Sequence, residues 1–253
     1  SANFLIKKAQ ILTILERLPE AEKILDIAET LEPSNPDLHI AKGSILSKKR
    51  KHQEALQHFH KAQELSENPI DVYPFIAFEY QCLGRFQDAI KYLENFLNNE
   101  PEDDIAIFNI SYCFERLDAY NDAIDFFKKL IEKSPYCEIK WYQLGLFYNK
   151  IKDYKQAIIA LDYAILIDEC FTAGYHEKAR SLTQLGKIKE AINTYLLTFA
   201  FENATGYTYL KIGLCYKELS SYKQAIRYFT KACHEDPQLS ESWMEIGLCY
   251  EAI

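Results

Sequence analysis

The residues of this sequence that could do chemistry on their own are few, and their spacing argues against them. His52, His58 and His60 lie close together in the chain. On a helix, however, a two-residue step turns the side chain by about 200°, so His58 and His60 cannot share a metal ion. Seven cysteines occur, an odd number, and no CxxC pair is present to seat zinc. Cys113, Cys215 and Cys249 stand at multiples of one spacing, which marks small core filler rather than nucleophiles. No HExxH, GxSxG or phosphate-loop pattern appears. Asn109-Ile110-Ser111 and Asn203-Ala204-Thr205 satisfy the glycosylation sequon, but both fall in segments that read as helical. The expectation is a protein with no catalytic residue, no cofactor and no metal.

The remaining chemistry is recognition by rings and charges. Aromatic residues make up 14% of the 253 residues, with 18 Tyr and 15 Phe, so large flat side chains must be packed again and again. A net charge of -8 argues against a nucleic-acid partner, because phosphate contacts need clustered Lys and Arg. No stretch approaches the roughly 18 apolar residues of a membrane span. The unpaired cysteine pattern points to a reducing compartment, hence a cytoplasmic location. The chain opens at Ser1 and its one methionine is Met244, so it reads as a piece or a processed form.

What positions the rings is a repeat. Ala21, Ala55, Ala89, Ala123, Ala157, Ala191 and Ala225 follow one another at intervals of 34 residues without insertion or deletion. A small column keeps the same register (Ala9, Gly43, Ala77, Ser111, Gly145, Ala179, Gly213, Gly247), and so does a bulky one (Leu12, Leu46, Tyr80, Phe114, Tyr148, Leu182, Tyr216, Tyr250). Four residues after each alanine comes Leu25, Phe59, Leu93, Phe127, Leu161, Tyr195 or Phe229. Within a unit, Trp141, Leu144, Gly145 and Tyr148 fall at three- and four-residue steps, which marks one helical face. Short turns such as Leu83-Gly84-Arg85 then make consecutive helices antiparallel neighbours.

These columns resemble the tetratricopeptide repeat family, whose Trp, Leu-Gly, Tyr, Ala, Phe and Pro pattern has the same length. Trp141, Leu144, Gly145, Tyr148 and Ala157 match it best, followed by Gly213, Tyr216, Ala225, Phe229, Ala232 and Pro237. The resemblance covers essentially the whole chain. It implies an all-α fold: a right-handed superhelical solenoid of antiparallel helix pairs, stacked because no unit buries both its faces alone. One such array is expected over 1–253, with full repeats at about 2–35, 36–69, 70–103, 104–137, 138–171, 172–205 and 206–239. A partial eighth covers 240–253.

In that family the first helices line a concave surface that takes a partner peptide or protein. By that analogy two columns face the groove here: Ile6, Ile40, Pro74, Phe108, Tyr142, His176, Leu210 and Met244, and Gln10, Ser44, Phe78, Tyr112, Leu146, Arg180, Leu214 and Leu248. Phe78, Phe108, Tyr112, Tyr142 and Leu146 make its centre apolar, and aromatic anchors of this kind are common hot spots. Arg116, Lys150 and Arg180 stand near them as cations, with Lys48, Lys211 and Lys217 among acidic neighbours. The Lys/Asn clamp of chaperone-tail binders is absent, since Ile6 and Gln10, or Ile40 and Ser44, fill its places. The implied function is a non-enzymatic scaffold or adaptor. Alternatives are the substrate-recruiting or regulatory part of a larger multidomain enzyme, and a homo-oligomer built through the unfinished C-terminal helix.

Overall fold

The first helix of each of the seven full repeats ends on the same backbone device. Residues 16, 50, 84, 118, 152, 186 and 220 all take left-handed backbone, with φ between 52° and 73°, and they too stand 34 apart. The following N–H reaches back to the bulky column: Arg17 to Leu12 O at 2.9 Å, Arg85 to Tyr80 O at 2.8 Å, Lys187 to Leu182 O at 2.9 Å. Such a cap satisfies orphan carbonyls and reverses the chain within a few residues. Glycine supplies the conformation at Gly84 and Gly186; elsewhere Glu16, Arg50, Asp118, Lys152 and Ser220 adopt it despite their Cβ atoms.

The computed structural model describes residues 1–253 as fifteen α-helices joined by tight turns, with two short 3-10 turns and no strand. It divides into two compact units. The first, Ser1–Ala119, holds α1 (Ala2–Ile14), α2 (Leu18–Leu31), α3 (Pro36–Lys48), α4 (His52–Leu65), α5 (Tyr73–Cys82), α6 (Phe86–Leu97) and α7 (Asp104–Arg116). The second, Tyr120–Ile253, holds α8 (Tyr120–Lys133), α9 (Glu138–Lys150), α10 (Tyr154–Ile167), α11 (Thr172–Gln184), α12 (Ile188–Leu197), α13 (Gly206–Glu218), α14 (Tyr222–Glu235) and α15 (Ser240–Glu251). Side-chain caps start several of them. Asn35 accepts from Asp37 N, Asp103 from Ala106 N, Asp153 from Gln156 N and Thr205 from Thr208 N.

The seven periodic alanines are 0% exposed in every unit, so this column marks where helices touch most closely. The small column does the same from the facing helix. A Cβ built on Gly43 would lie 2.7 Å from the Phe59 ring, on Gly145 2.7 Å from Leu161, and on Gly213 2.5 Å from Phe229. Only hydrogen fits there without a shift. In the first unit Ile6, Leu12, Leu25, Leu38 and Ile45 close one core. In the second, cores form around Ala179, Ile192 and Tyr195, and around Leu210, Phe229 and Cys249.

Candidate partner-binding surface

In the first unit α5 and α7 bring three of the expected rings to the surface. Phe78 is 50% exposed, Phe108 49% and Tyr112 48%, while Ile76, Tyr80, Ile107 and Phe114 of the same helices are buried. The open rings are therefore one helical face, and the core is the other. Gln81 ties the two helices together, its side-chain amide donating to Asn109 O at 3.1 Å and lying 3.1 Å from Cys113 Sγ. Tyr112 meets the Phe86 ring edge-on at 5.9 Å, and the Arg116 guanidinium lies 5.4 Å over the same ring. Beside Phe78 opens a hollow of ≈ 490 Å³, shared with Ser47, Lys48, Arg50, His52 and Cys82.

Two side chains of that hollow, His52 and Cys82, lie near a buried carboxylate. His52 Nδ1 sits 2.7 Å from Oε2 of the buried Glu79, with Cys82 on the rim. Burial, and then the Glu79 charge, push the Cys82 thiol up, which is the wrong direction for a nucleophile. The three sequence-adjacent histidines go to three separate partners: His52 to Glu79, His58 to His39 Nδ1 at 3.3 Å, and His60 to Tyr80 Oη at 3.2 Å. Cys113, Cys215 and Cys249 are buried, and desolvation raises all three thiols. No group of three or more His, Cys, Asp or Glu side chains converges as metal ligands would.

In the second unit the expected residues are more enclosed. Tyr142 is half-buried, edge-on to Phe171 at 5.2 Å, and burial followed by the nearby Glu177 charge raises its hydroxyl pKa. Leu146 is half-buried as well. Lys150 is exposed, its ammonium 6.0 Å from the Tyr120 ring, and Arg180 donates from Nε to Glu177 at 2.9 Å. The groove columns are thus not uniformly open: Ile6 and Leu210 are buried in their own cores, because helices there turn that position inward.

A hollow of the second unit gathers His176, Arg180 and Leu214 of the expected groove columns with two tyrosines that the columns do not place there. About 350 Å³ in volume, it lies between α11 and α13 and is lined by His176, Arg180, Tyr195, Tyr207, Lys211 and Glu218 among others. Tyr195 forms its floor and desolvation raises its hydroxyl strongly; Lys211 lies 4.8 Å over the Tyr207 ring. His176 Nε2 meets Glu202 at 3.1 Å, leaving Nδ1 buried without a partner. Tyr195 occupies the repeat's ring column and read as plain core, while Tyr207 belongs to no column. Only a three-dimensional arrangement puts them together.

Comparison with known proteins fits this architecture. Residues 80–136 match one tetratricopeptide repeat pattern, and residues 36–69, 141–169 and 207–239 match another, so that more than half of the chain is covered. No curated protein matches the sequence. Among solved structures, the C-terminal part of a TPR repeat-containing protein from Cytophaga hutchinsonii is similar over 95% of this chain and 99% of its own, with a TM-score of 0.74 and 14% identity. A tetratricopeptide repeat protein from Parabacteroides merdae is similar over 98% of both chains, at a TM-score of 0.59 and 21% identity. YrrB, a TPR protein with an unusual peptide-binding site, matches over 70% of this chain and 92% of its own, at 0.52 and 24%. No helix is long and apolar enough to cross a membrane.

Proposed function

This chain belongs to the tetratricopeptide repeat family, and on that premise we propose that it is a non-enzymatic adaptor holding a partner segment by its apolar side chains. The observation that carries the reading is the stripe of half-open rings on α5 and α7, Phe78, Phe108 and Tyr112. Rings that cost little entropy to order and keep half their surface in water are what a partner's aliphatic or aromatic residues can cover. Arg116, stacked on Phe86 beside Tyr112, adds a cation at the stripe's edge. In the second unit Tyr142 and Leu146, with Arg180 and Lys150, offer a smaller surface of the same kind, since less of their apolar area is open. YrrB, which shares the fold, has an unusual peptide-binding site, which favours a peptide segment as the partner here.

The array is read as seven 34-residue repeats and the first helix of an eighth, a count supported by the even spacing of the left-handed turns. Seven free cysteines support work in the reducing cytoplasm. The test is a pull-down from source lysate, wild type against Phe78→Ala/Phe108→Ala/Tyr112→Ala. All three rings are half open, so circular dichroism should be unchanged. Loss of the captured partner supports the adaptor reading, and equal capture by both proteins refutes the stripe as its surface.

A further inference from the structure

The end of α3 and its turn into α4 carry the longest basic run of the chain. Lys48, Lys49, Arg50, Lys51 and His52 are consecutive, in a protein whose net charge is -8. Their partners divide them. Lys49 is bound to Glu22, Lys51 to Glu54 at 3.0 Å, and His52 to the buried Glu79. Lys48 and Arg50 are exposed, and their side chains hold no carboxylate. Other surface cations do: Arg17 pairs with Glu20, Arg85 with Asp88, Arg180 with Glu177 and Lys187 with Glu190. The two free ones stand together.

Lys48 and Arg50 both line the hollow beside Phe78, and no carboxylate lines it with them. Glu79 lies behind the wall, buried and bonded to His52. The hollow therefore has an apolar side, the half-open Phe78 ring, and a side with two uncompensated cations. A lysine in the last turn of α3 also complements the helix dipole, which accounts for Lys48. It does not account for Arg50, which lies beyond the helix in left-handed backbone. Nor are these the clamp places of chaperone-tail binders, which Ile40 and Ser44 fill on this helix. Charge selects the occupant. An acidic group is repelled by the chain as a whole and attracted here, because salt confines each field to about 8–10 Å. Two free cations would neutralise only two phosphates of a nucleic acid, too few to hold one.

We infer that this hollow is the acid-binding end of the ring stripe. The partner segment carries Asp or Glu beside the apolar residue that covers Phe78, and its carboxylates pair with Lys48 and Arg50. The inference rests on the adaptor reading and gives its partner a chemistry and an order. Packed helices lie 8–10 Å apart, which extended chain spans in about three residues. The segment thus reads as one or two acidic residues, an apolar residue for Phe78, and a second about three residues on for Phe108 and Tyr112.

The probes are the end-blocked peptides Glu-Glu-Phe-Gly-Gly-Phe and Gln-Gln-Phe-Gly-Gly-Phe, each made in both chain directions and titrated calorimetrically into the whole chain. Exposed ion pairs are individually weak, so the Glu peptide should bind about three- to tenfold tighter than the Gln peptide at low salt. Near 0.5 M salt the preference should vanish, because such pairs are screened. Lys48→Gln/Arg50→Gln should erase the preference and leave the Gln peptide's affinity unchanged. Lys49→Gln/Lys51→Gln removes the same net charge and should keep the preference, with circular dichroism confirming that both variants are folded. Equal affinity of wild type for the two peptides overturns the inference, and so does equal loss of preference in both variants. If the peptides bind equally and Phe78→Ala/Phe108→Ala/Tyr112→Ala releases both, the ring stripe stands without its acidic end. Binding of neither peptide overturns both readings. A thymidine oligonucleotide that binds more tightly than the Glu peptide, and is lost with Lys48→Gln/Arg50→Gln, would give the cations to phosphate and overturn the inference as well.

Discussion

Five non-glycine residues hold left-handed backbone at the repeat turns, and replacing them with glycine should stabilise the protein. Glu16, Arg50, Lys152 and Ser220 are the clearest, being exposed, with φ of 60°, 59°, 62° and 56°. Left-handed geometry costs an L-residue roughly 1–2 kcal/mol. Glycine removes that strain but returns about 0.4–1 kcal/mol of freedom to the unfolded chain. The net gain is thus about 0.5–1 kcal/mol per site, the difference between those two terms. Because the four turns share no partner, the combined variant should gain about 2–4 kcal/mol. At roughly 2–4 °C per kcal/mol for a chain of this size, each single change lifts the thermal midpoint by a few degrees at most.

The assay is thermal and urea unfolding followed by circular dichroism, with Gly84→Ala and Gly186→Ala as opposite controls. Those two sites have no atom within 4 Å of an added Cβ, so their loss measures backbone strain alone. They should fall by about 1 kcal/mol. Repeat arrays can unfold in stages, so the midpoint of the most affected transition is the quantity to compare. The reasoning is refuted if Lys152→Gly and Ser220→Gly lower the midpoint as Gly186→Ala does. Effects would then come from the side chains and not from φ.

Acid should destabilise the first unit through His39 and His58, whose imidazoles meet at 3.3 Å between α3 and α4. Desolvation lowers both pKa values, with Lys42 and Lys61 adding to it and Glu29 opposing. A lowered histidine pKa means the unfolded chain binds more protons, so this stability is complete above the unfolded value near 6.5 and drains as pH falls through the folded values. Midpoints measured from pH 7.5 down to 5 should therefore drop, and a His39→Gln/His58→Gln protein should show a flatter profile. At the glycine column, Gly213→Ala should cost about 1–3 kcal/mol because its Cβ would sit 2.5 Å from Phe229. Gly247→Ala, facing open space on a helix, should instead gain up to about 1 kcal/mol by urea denaturation.

The fold was legible because its determinants are local and repeated. The 34-residue alanine column is the wholly buried column, and the small residues at 43, 145 and 213 sit where the facing helix presses. Each is a packing constraint seen many times over in one sequence. Gly84 and Gly186 likewise announce their turns. Glu16, Arg50, Asp118, Lys152 and Ser220 do not, since their types give no sign of left-handed backbone and only the register betrays them. The surface was legible in part. Phe78, Phe108 and Tyr112 are not core positions of the repeat, and they are open. Ile6 and Leu210 share their columns yet are buried, because exposure at those positions depends on the neighbouring helices. The α11–α13 hollow was legible only on its His176, Arg180 and Leu214 side, since Tyr195 and Tyr207 join them only in space.

The size of the ring stripe limits how tightly it can hold anything. Phe and Tyr side chains bury roughly 150–250 Å² each, so three of them half open leave about 300 Å² for a partner to cover. At about 25 cal/mol per Å² that is roughly 7 kcal/mol of gross apolar stabilisation. Association costs about 4–15 kcal/mol in lost freedom before side chains are ordered. Phe78, Phe108 and Tyr112 therefore give weak, exchangeable binding by themselves, and a stable complex needs contacts outside the stripe.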